Sequence, residues 1–441
     1  MSEEPAAPRD SLQRSRLVER APLFYGWIVV AAGALGVMMT LPGQTTGVSI
    51  FIDHLIADLG LTRSGVSTLY LFGTLGGSLF LPFVGRFVDR RGPRVAVVAV
   101  AAAFALACVW MGNVRGAATL LVGFTLVRAL GQGALSLVSL HVVAIWFVRR
   151  RGIAIGLVGI GMALATATFP TLIESLIEGA GWRNAYMLLG LAVALTIVPV
   201  GGLVFRDRPE RYGVAPDGAP EGGATSTPEG GATSAEGRGS RARRERHYTA
   251  DQARRTLTFW VFLSGLFLGS TLGTGLVFHH YSILAEGGLE RALAARTFVF
   301  YGITAALANL ATGALITRIA PRFLLSAMLM MLGSALVFAG FLSGPASIVP
   351  YGLLLGMRTG MYSSLSGNVF AYYFGRKHLG SIKGWVSTVL VIGSAVGPLI
   401  LGLGYDRLGS YTTTVIACSA LPFAVALITP FLALERDGVV R

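Results

Sequence analysis

What most constrains this chain is its hydropathy pattern: twelve separate apolar blocks, each long enough to cross a bilayer as a helix. They run over 26–51, 64–88, 95–111, 117–147, 153–176 and 185–205. Past a long polar stretch come 258–281, 293–316, 323–342, 346–374, 379–403 and 411–434. A hydrocarbon core of about 30 Å takes roughly 20 helical residues to span. Inside lipid every backbone N–H and C=O must pair, so only helices or a closed barrel can cross. Blocks this long and continuous are helices. Charged residues make up 13% of the chain, against about 25% in soluble domains, which leaves too little polar surface for life in water. Cys108 and Cys418 lie far apart inside apolar blocks. They read as packing residues, neither a disulfide nor a metal site.

A net charge of +14 would suggest nucleic acid in a soluble protein, but its placement says otherwise. An even number of spans puts both termini on one face. That face and its loops carry 28 of the 36 Lys and Arg. The opposite face carries six: Arg63, Arg115, Arg183, Arg291, Arg296 and Arg407. The excess marks the cytoplasmic side. A multi-pass protein of the cell membrane is expected, with both ends cytoplasmic, in contact with the lipid bilayer and not with nucleic acid. Residues 1–24 read as a cytoplasmic tail and not as a cleaved signal; 435–441 read as a second tail.

Residues 206–257 form the one long loop. It holds a near-tandem repeat, 220–226 and 228–234, and a basic run at 241–246. Such a composition buries little and reads as a disordered linker. It separates two six-helix halves, 25–205 and 258–434, that resemble each other. At one offset, Gly85 falls on Gly313, Arg94 on Arg322, Gly156 on Gly384 and Pro170 on Pro398. A duplicated six-helix unit follows.

Two charges stand at membrane depth, Arg128 in span 4 and Arg358 in span 10, which are mate helices. A charge at a helix centre costs at least ~2.5–3.5 kcal/mol, so each needs a reason. Each heads a polar row at helical spacing: Arg128, Gln132, Ser136, and Arg358, Tyr362, Ser366. No Asp or Glu falls in the middle of any span; Asp53, Glu174, Glu178 and Asp406 all sit at far ends. Buried cations without buried acids favour an anionic small-molecule substrate, because a guanidinium grips a carboxylate through two parallel hydrogen bonds. For Arg128 the competing reading is a coupling or packing role. In span 1, Gln44 follows the helix-breaking pair Pro42-Gly43 and offers a further polar contact.

Gly85-x-x-x-Asp89-Arg90-x-Gly92-x-Arg94, after span 2, resembles the loop signature of the major facilitator superfamily. The resemblance covers all but the tails and linker. Gly384, Gly393 and Gly397-Pro398 match a family glycine pattern, here in span 11. Tyr25-Gly26-Trp27, Leu61-Thr62-Arg63-Ser64, Phe259-Trp260, and His280 with Glu286-Gly287 resemble the branch of monocarboxylate porters and oxalate:formate antiporters. The resemblance implies an all-α membrane protein, a 12-helix major facilitator bundle of two six-helix pseudo-repeats around a central cavity, working by alternating access. It implies a cytoplasmic latch in which Asp89 faces a helix N-terminus and basic neighbours, with Arg90, Arg94 and Arg149 as candidates. The second copy has Thr317 at the acid position, so that half is expected to lack a charged latch.

The chain also departs from that branch. Where monocarboxylate carriers place an arginine in span 8, four residues before Gly313, this chain has Asn309. Ala305 stands where some members have an aspartate, and span 1 has Gln44, Thr45 and Thr46 with no lysine. Arg358 is therefore expected to take the anion-binding role from span 10, with Asn309 and Gln44 as lining. Histidine titrates near neutral pH. His280, which matches the branch pattern, is the one expected to touch ligand or carry a proton, whereas His279 and His141 read as packing.

The sequence thus describes a monomeric secondary transporter of a small organic anion, a monocarboxylate, by proton symport or anion exchange. Efflux of a drug-like or neutral compound is an alternative, as is a membrane sensor without transport. No Gly-x-x-x-x-Gly-Lys-Ser/Thr loop occurs, so ATP-driven pumping is not expected. No catalytic triad or metal-ligand cluster stands out, so neither an enzyme nor a cofactor is expected.

Overall fold

The computed structural model describes residues 15–218, 248–316, 318–375 and 378–432. The distal tails, the tandem repeat, the basic run and Thr317 lie outside the described residues. Among the described residues all regular elements are helical. Nine helical stretches among the described residues are long and apolar enough to cross a membrane; they yield eleven crossings, and one more polar helix adds a twelfth. Arg63–Gly112 and Arg151–Val204 run 50 and 54 residues, about 75–80 Å at 1.5 Å per residue. That is more than twice the hydrocarbon thickness. Gly92 (φ 78°) breaks the first and Gly181 (φ 79°) the second, both in the left-handed region that glycine enters freely. Each helix therefore supplies two spans. Ile348–Phe374, made more polar by Arg358 and its row, is the twelfth.

Three spans are irregular where the chemistry lies. Span 1 begins as Gly26–Met38, turns tightly over Leu41–Gly43, and resumes as Thr45–Ser49. Pro42 is accommodated there because a helix start needs no N–H. Span 4 loosens into a π-helical stretch over Arg128–Leu135 between Ala117–Val127 and Ser136–Trp146, a distortion that often marks functional sites. Span 7, Leu257–Phe278, pauses at His279 and restarts as His280–Glu286.

We call the face bearing residues 206–218 and the Asp89 loop the linker face, and its opposite the far face. The halves meet where span 2 packs on span 11 and span 5 on span 8, with span 1 against span 7. Small residues permit close approach. Gly302 lies against the Ala163 carbonyl, and Gly402 against Ser67 and the Arg63 carbonyl.

The linker is more ordered at its ends than its composition suggests. Pro209–Tyr212 and Pro216–Gly218 form short turns, and Ala250–Arg254 is a helix started by a capping box of Thr249 and Gln252. One carboxylate anchors the first of these ends. Asp217 accepts from the backbone N–H of Val148 (3.0 Å), Arg149 (2.7 Å) and Arg150 (3.1 Å). Slight burial pushes its carboxyl up, but the three N–H donors outweigh that and hold it below its ordinary value. At the other end Tyr248 N–H donates to the Phe374 carbonyl at 3.1 Å.

Candidate functional site

A cavity of about 260 Å³ lies on the seam between the halves. Its polar lining comes from Gln44, Thr45 and Thr46 after the span 1 break, Thr166 of span 5, Ser270 and Thr274 of span 7, Tyr301 of span 8, and Arg358, Thr359 and Tyr362 of span 10. The lining contains one charged side chain, Arg358, and no acid.

Arg358 is 4% exposed. Its Nη1 donates to the Gly269 carbonyl at 3.0 Å and its Nη2 to Thr359 Oγ1 at 2.7 Å. Its Nε is buried with no hydrogen-bond partner among the described residues. Gly273 makes room for the group, since a methyl there would overlap the guanidinium. The site thus holds a fixed cation whose donors are only partly used.

Arg128, on the mate helix of the other half, has different partners. Its Nε donates to Thr74 Oγ1 (3.1 Å) and its Nη1 to the Gly43 carbonyl (3.2 Å) and Thr45 Oγ1 (3.4 Å). The guanidinium also lies 4.9 Å over the Tyr70 ring, a cation–π contact. The Pro42-Gly43 break is what frees that carbonyl. Arg128 and Gln132 line a separate recess among spans 2, 4 and 11, so the two polar rows face different spaces.

The other expected residues fall in four places. Gln44 and Tyr362 join Arg358 in the seam cavity. Asn309 lines an adjoining recess that shares Thr166, Tyr301 and Thr359 with that cavity. His280 does not reach the cavity. It is fully buried within the C-terminal half, stacked on Tyr351 with centroids 5.7 Å apart, its Nε2 3.0 Å from the Ala294 carbonyl. Asp89 and Arg90 share a linker-face recess with His141, Asp207 and Arg208. Asp89 is exposed and has no ion pair among the described residues. Arg94 Nε donates to the Gly202 carbonyl at 2.7 Å, and Arg149 meets Asp217 through its backbone N–H.

Sequence reasoning missed a polar cluster that ties the halves together at the far face. Arg291, at the start of span 8, donates to both carboxylate oxygens of Glu174 (2.6 and 3.2 Å), to the Ile50 carbonyl (2.6 Å) and to Asp53 (3.5 Å). Arg63 Nη1 donates to Asp53 (2.9 Å) and to Ser282 Oγ (2.7 Å), and Ser282 donates to Asp53 at 2.5 Å. Ser64 N–H donates to the Asp406 carboxylate at 3.0 Å. Span 1, 2 and 5 groups thereby hold span 7, 8 and 11 groups, and the far side of the seam is closed. A signal was available: Arg63 and Arg291 are cations on the arginine-poor face, opposite the end-of-span acids Asp53 and Glu174.

The sequence model of the Major Facilitator Superfamily matches residues 26–289. The oxalate:formate antiporter of Oxalobacter formigenes is 25% identical over 178 residues, 40% of this chain and 42% of that protein. That match therefore spans less than half of the relative. Monocarboxylate transporter 12-B of Danio rerio is 24% identical over 432 residues, 92% of this chain and 87% of that one. A solved bacterial homolog of the human lysosomal transporter Spinster, inward-facing and occupied, superposes with a TM-score of 0.69 at 15% identity. It covers 93% of this chain and 98% of that one, and the likeness is one of fold.

Proposed function

The chain belongs to the major facilitator superfamily, and we propose that it is a secondary active transporter of a small organic anion, a monocarboxylate, carried by proton symport or anion exchange. The observation that carries this reading is Arg358, the one charged side chain of the seam cavity, buried with an N–H unused. A guanidinium so placed can offer charge-assisted bonds to a carboxylate. The cavity volume of about 260 Å³ falls below the ~300–1,000 Å³ usual for drug-sized ligands, which favours a small solute over drug efflux. The names of the two relatives point the same way.

In this reading the linker face is cytoplasmic, the far-face cluster is one gate, and Asp89 with Arg90, Arg94 and Arg149 belongs to the other. With the far face closed the Asp89 latch is disengaged, as alternating access requires. Uptake of labelled formate, lactate and oxalate into proteoliposomes, with and without a pH gradient, tests the reading. Arg358→Ala should insert normally and abolish anion uptake. Arg358→Lys keeps the charge but loses the fork, and a lost charge-assisted contact of ~1.5–3 kcal/mol weakens binding roughly ten- to a hundredfold. Wild-type uptake of every carried anion by Arg358→Ala would make a neutral solute the better reading.

A further inference from the structure

We propose that His279 is the proton-binding site of this transporter, loaded when the far face opens and emptied when it closes. No carboxylate lies in the middle of any span, so a proton carried at depth needs another base. His280 is enclosed within one half. His279, its neighbour, sits on the seam itself and is fully buried. Its Nε2 lies 2.9 Å from the Pro398 carbonyl of span 11 and 3.4 Å from Ser67 Oγ of span 2, in the opposite half. Its Nδ1 lies 2.9 Å from the Tyr411 hydroxyl of span 12.

These partners define a protonation state. A carbonyl can only accept, so Nε2 carries the hydrogen. Nδ1 then accepts from Tyr411, and the closed seam holds a neutral ring with both nitrogens satisfied. The charged groups facing it are Arg63 from span 2, Asp53 from the end of span 1 and Asp406 from span 11. Arg63 also lies 5.2 Å over the Tyr411 ring. When the far face opens, Arg63 and Asp53 leave with the N-terminal half, while Pro398, Tyr411 and Asp406 stay with His279. Asp406, no longer held by Ser64, then remains as an acid near a ring newly open to water. Nδ1 takes a proton from that water, and the Tyr411 oxygen turns to accept from it. Closure brings Arg63 back and cuts the ring off from far-face water, and the proton is then released on the linker-face side, which completes its crossing. The sign follows: the open state binds the proton more tightly, so low pH favours opening.

This inference rests on the transporter reading and supplies its coupling ion. It is tested without a substrate in full-length protein with Cys108 and Cys418 replaced by alanine. Spin labels at Arg115→Cys and Arg407→Cys, exposed far-face positions in opposite halves, report opening as a longer distance by electron–electron double resonance. In the otherwise wild-type protein the open-to-closed ratio should rise as pH falls from 8 to 5, by up to tenfold per pH unit for one proton. His279→Gln should be flat. Tyr411→Phe, which removes the Nδ1 partner but keeps the ring, should respond with a displaced midpoint, and it serves if the glutamine variant does not fold. A pH-independent parent, a responsive His279→Gln, or a Tyr411→Phe midpoint equal to the parent overturns the assignment. In proteoliposomes, lactate counterflow at equal pH should survive in His279→Gln while lactate-linked proton entry, read by a trapped pH dye, is lost. A parent that shows the pH response but carries no formate, lactate or oxalate would sink the anion reading and leave the proton site standing.

Discussion

Arg291→Ala should shift the resting population toward a far-face-open state, and the size of that shift can be worked from the cluster. Arg291 gives up two bonds to Glu174, one to the Ile50 carbonyl and a longer one to Asp53. All of these cross between the halves, so all exist only while the far face is closed. Breaking a buried ion pair costs ~3–5 kcal/mol. The Glu174 side chain is 5% exposed but Arg291 keeps 28%, so water screens part of the interaction, and we take ~2–3 kcal/mol. At 1.4 kcal/mol per tenfold this is roughly a 30- to 150-fold rise in the open-to-closed ratio. The spin-label pair at positions 115 and 407 reads that ratio directly. Glu174→Gln should relieve the carboxylate that Arg291→Ala strands, so the double variant should shift less than the sum of the two single changes. An unchanged distance distribution in Arg291→Ala would show that packing alone closes the far face and that the cluster is ornamental.

The remaining predictions probe the linker face and the cavity. Asp89→Asn should move the same ratio the opposite way, lowering the open fraction and the turnover, because a latch that holds the linker face shut has been weakened; equal distance distributions would remove the latch. Gly273→Ala places a methyl against the Arg358 guanidinium and should weaken carboxylate binding roughly ten- to a hundredfold at ~1.5–3 kcal/mol. Gly367→Ala, in open space on the same helix as Arg358, is the control and should bind normally. Deleting 219–247 should leave transport intact, whereas Asp217→Ala should lower amide-exchange protection at 148–150. Because the Asp217 carboxyl is held below its ordinary value of 3.8, its contact is complete above that value and lost only as pH falls through the lower one. Protection factors should therefore be flat from pH 5 to 8, and a fall inside that window would contradict the assignment.

The features legible in the sequence were those set by local rules. Span number follows from apolar length, and duplication follows from one repeated offset. The break at Pro42-Gly43 follows from proline and glycine chemistry. The seam was not legible, because its contacts join residues far apart in sequence: Glu174 to Arg291, Asp53 to Ser282, Ser67 to His279. His279 and His280, one residue apart, have different surroundings. One ring meets the seam and the other an aromatic pocket, and which neighbours stand on each side is set by tertiary packing. The linker repeats the lesson, since a low-complexity stretch gives no hint that Asp217 will seat on three backbone donors.

Arg128 and Arg358 are the two buried charges at membrane depth, one in each half. Although span 1 breaks and span 4 loosens where their mates run regularly, each guanidinium sends Nη1 to a glycine carbonyl on the first helix of its own half, Gly43 or Gly269. The neighbours were not copied. Thr74, Thr45 and the Tyr70 ring meet Arg128 through its Nε, its Nη1 and its charge, while Arg358 keeps a buried Nε–H unpaired. In the proposed reading, the N–H that Arg358 keeps unpaired is the one an anion would take up. The two halves share a fold, and what differs between the two buried charges is which hydroxyls and rings surround them.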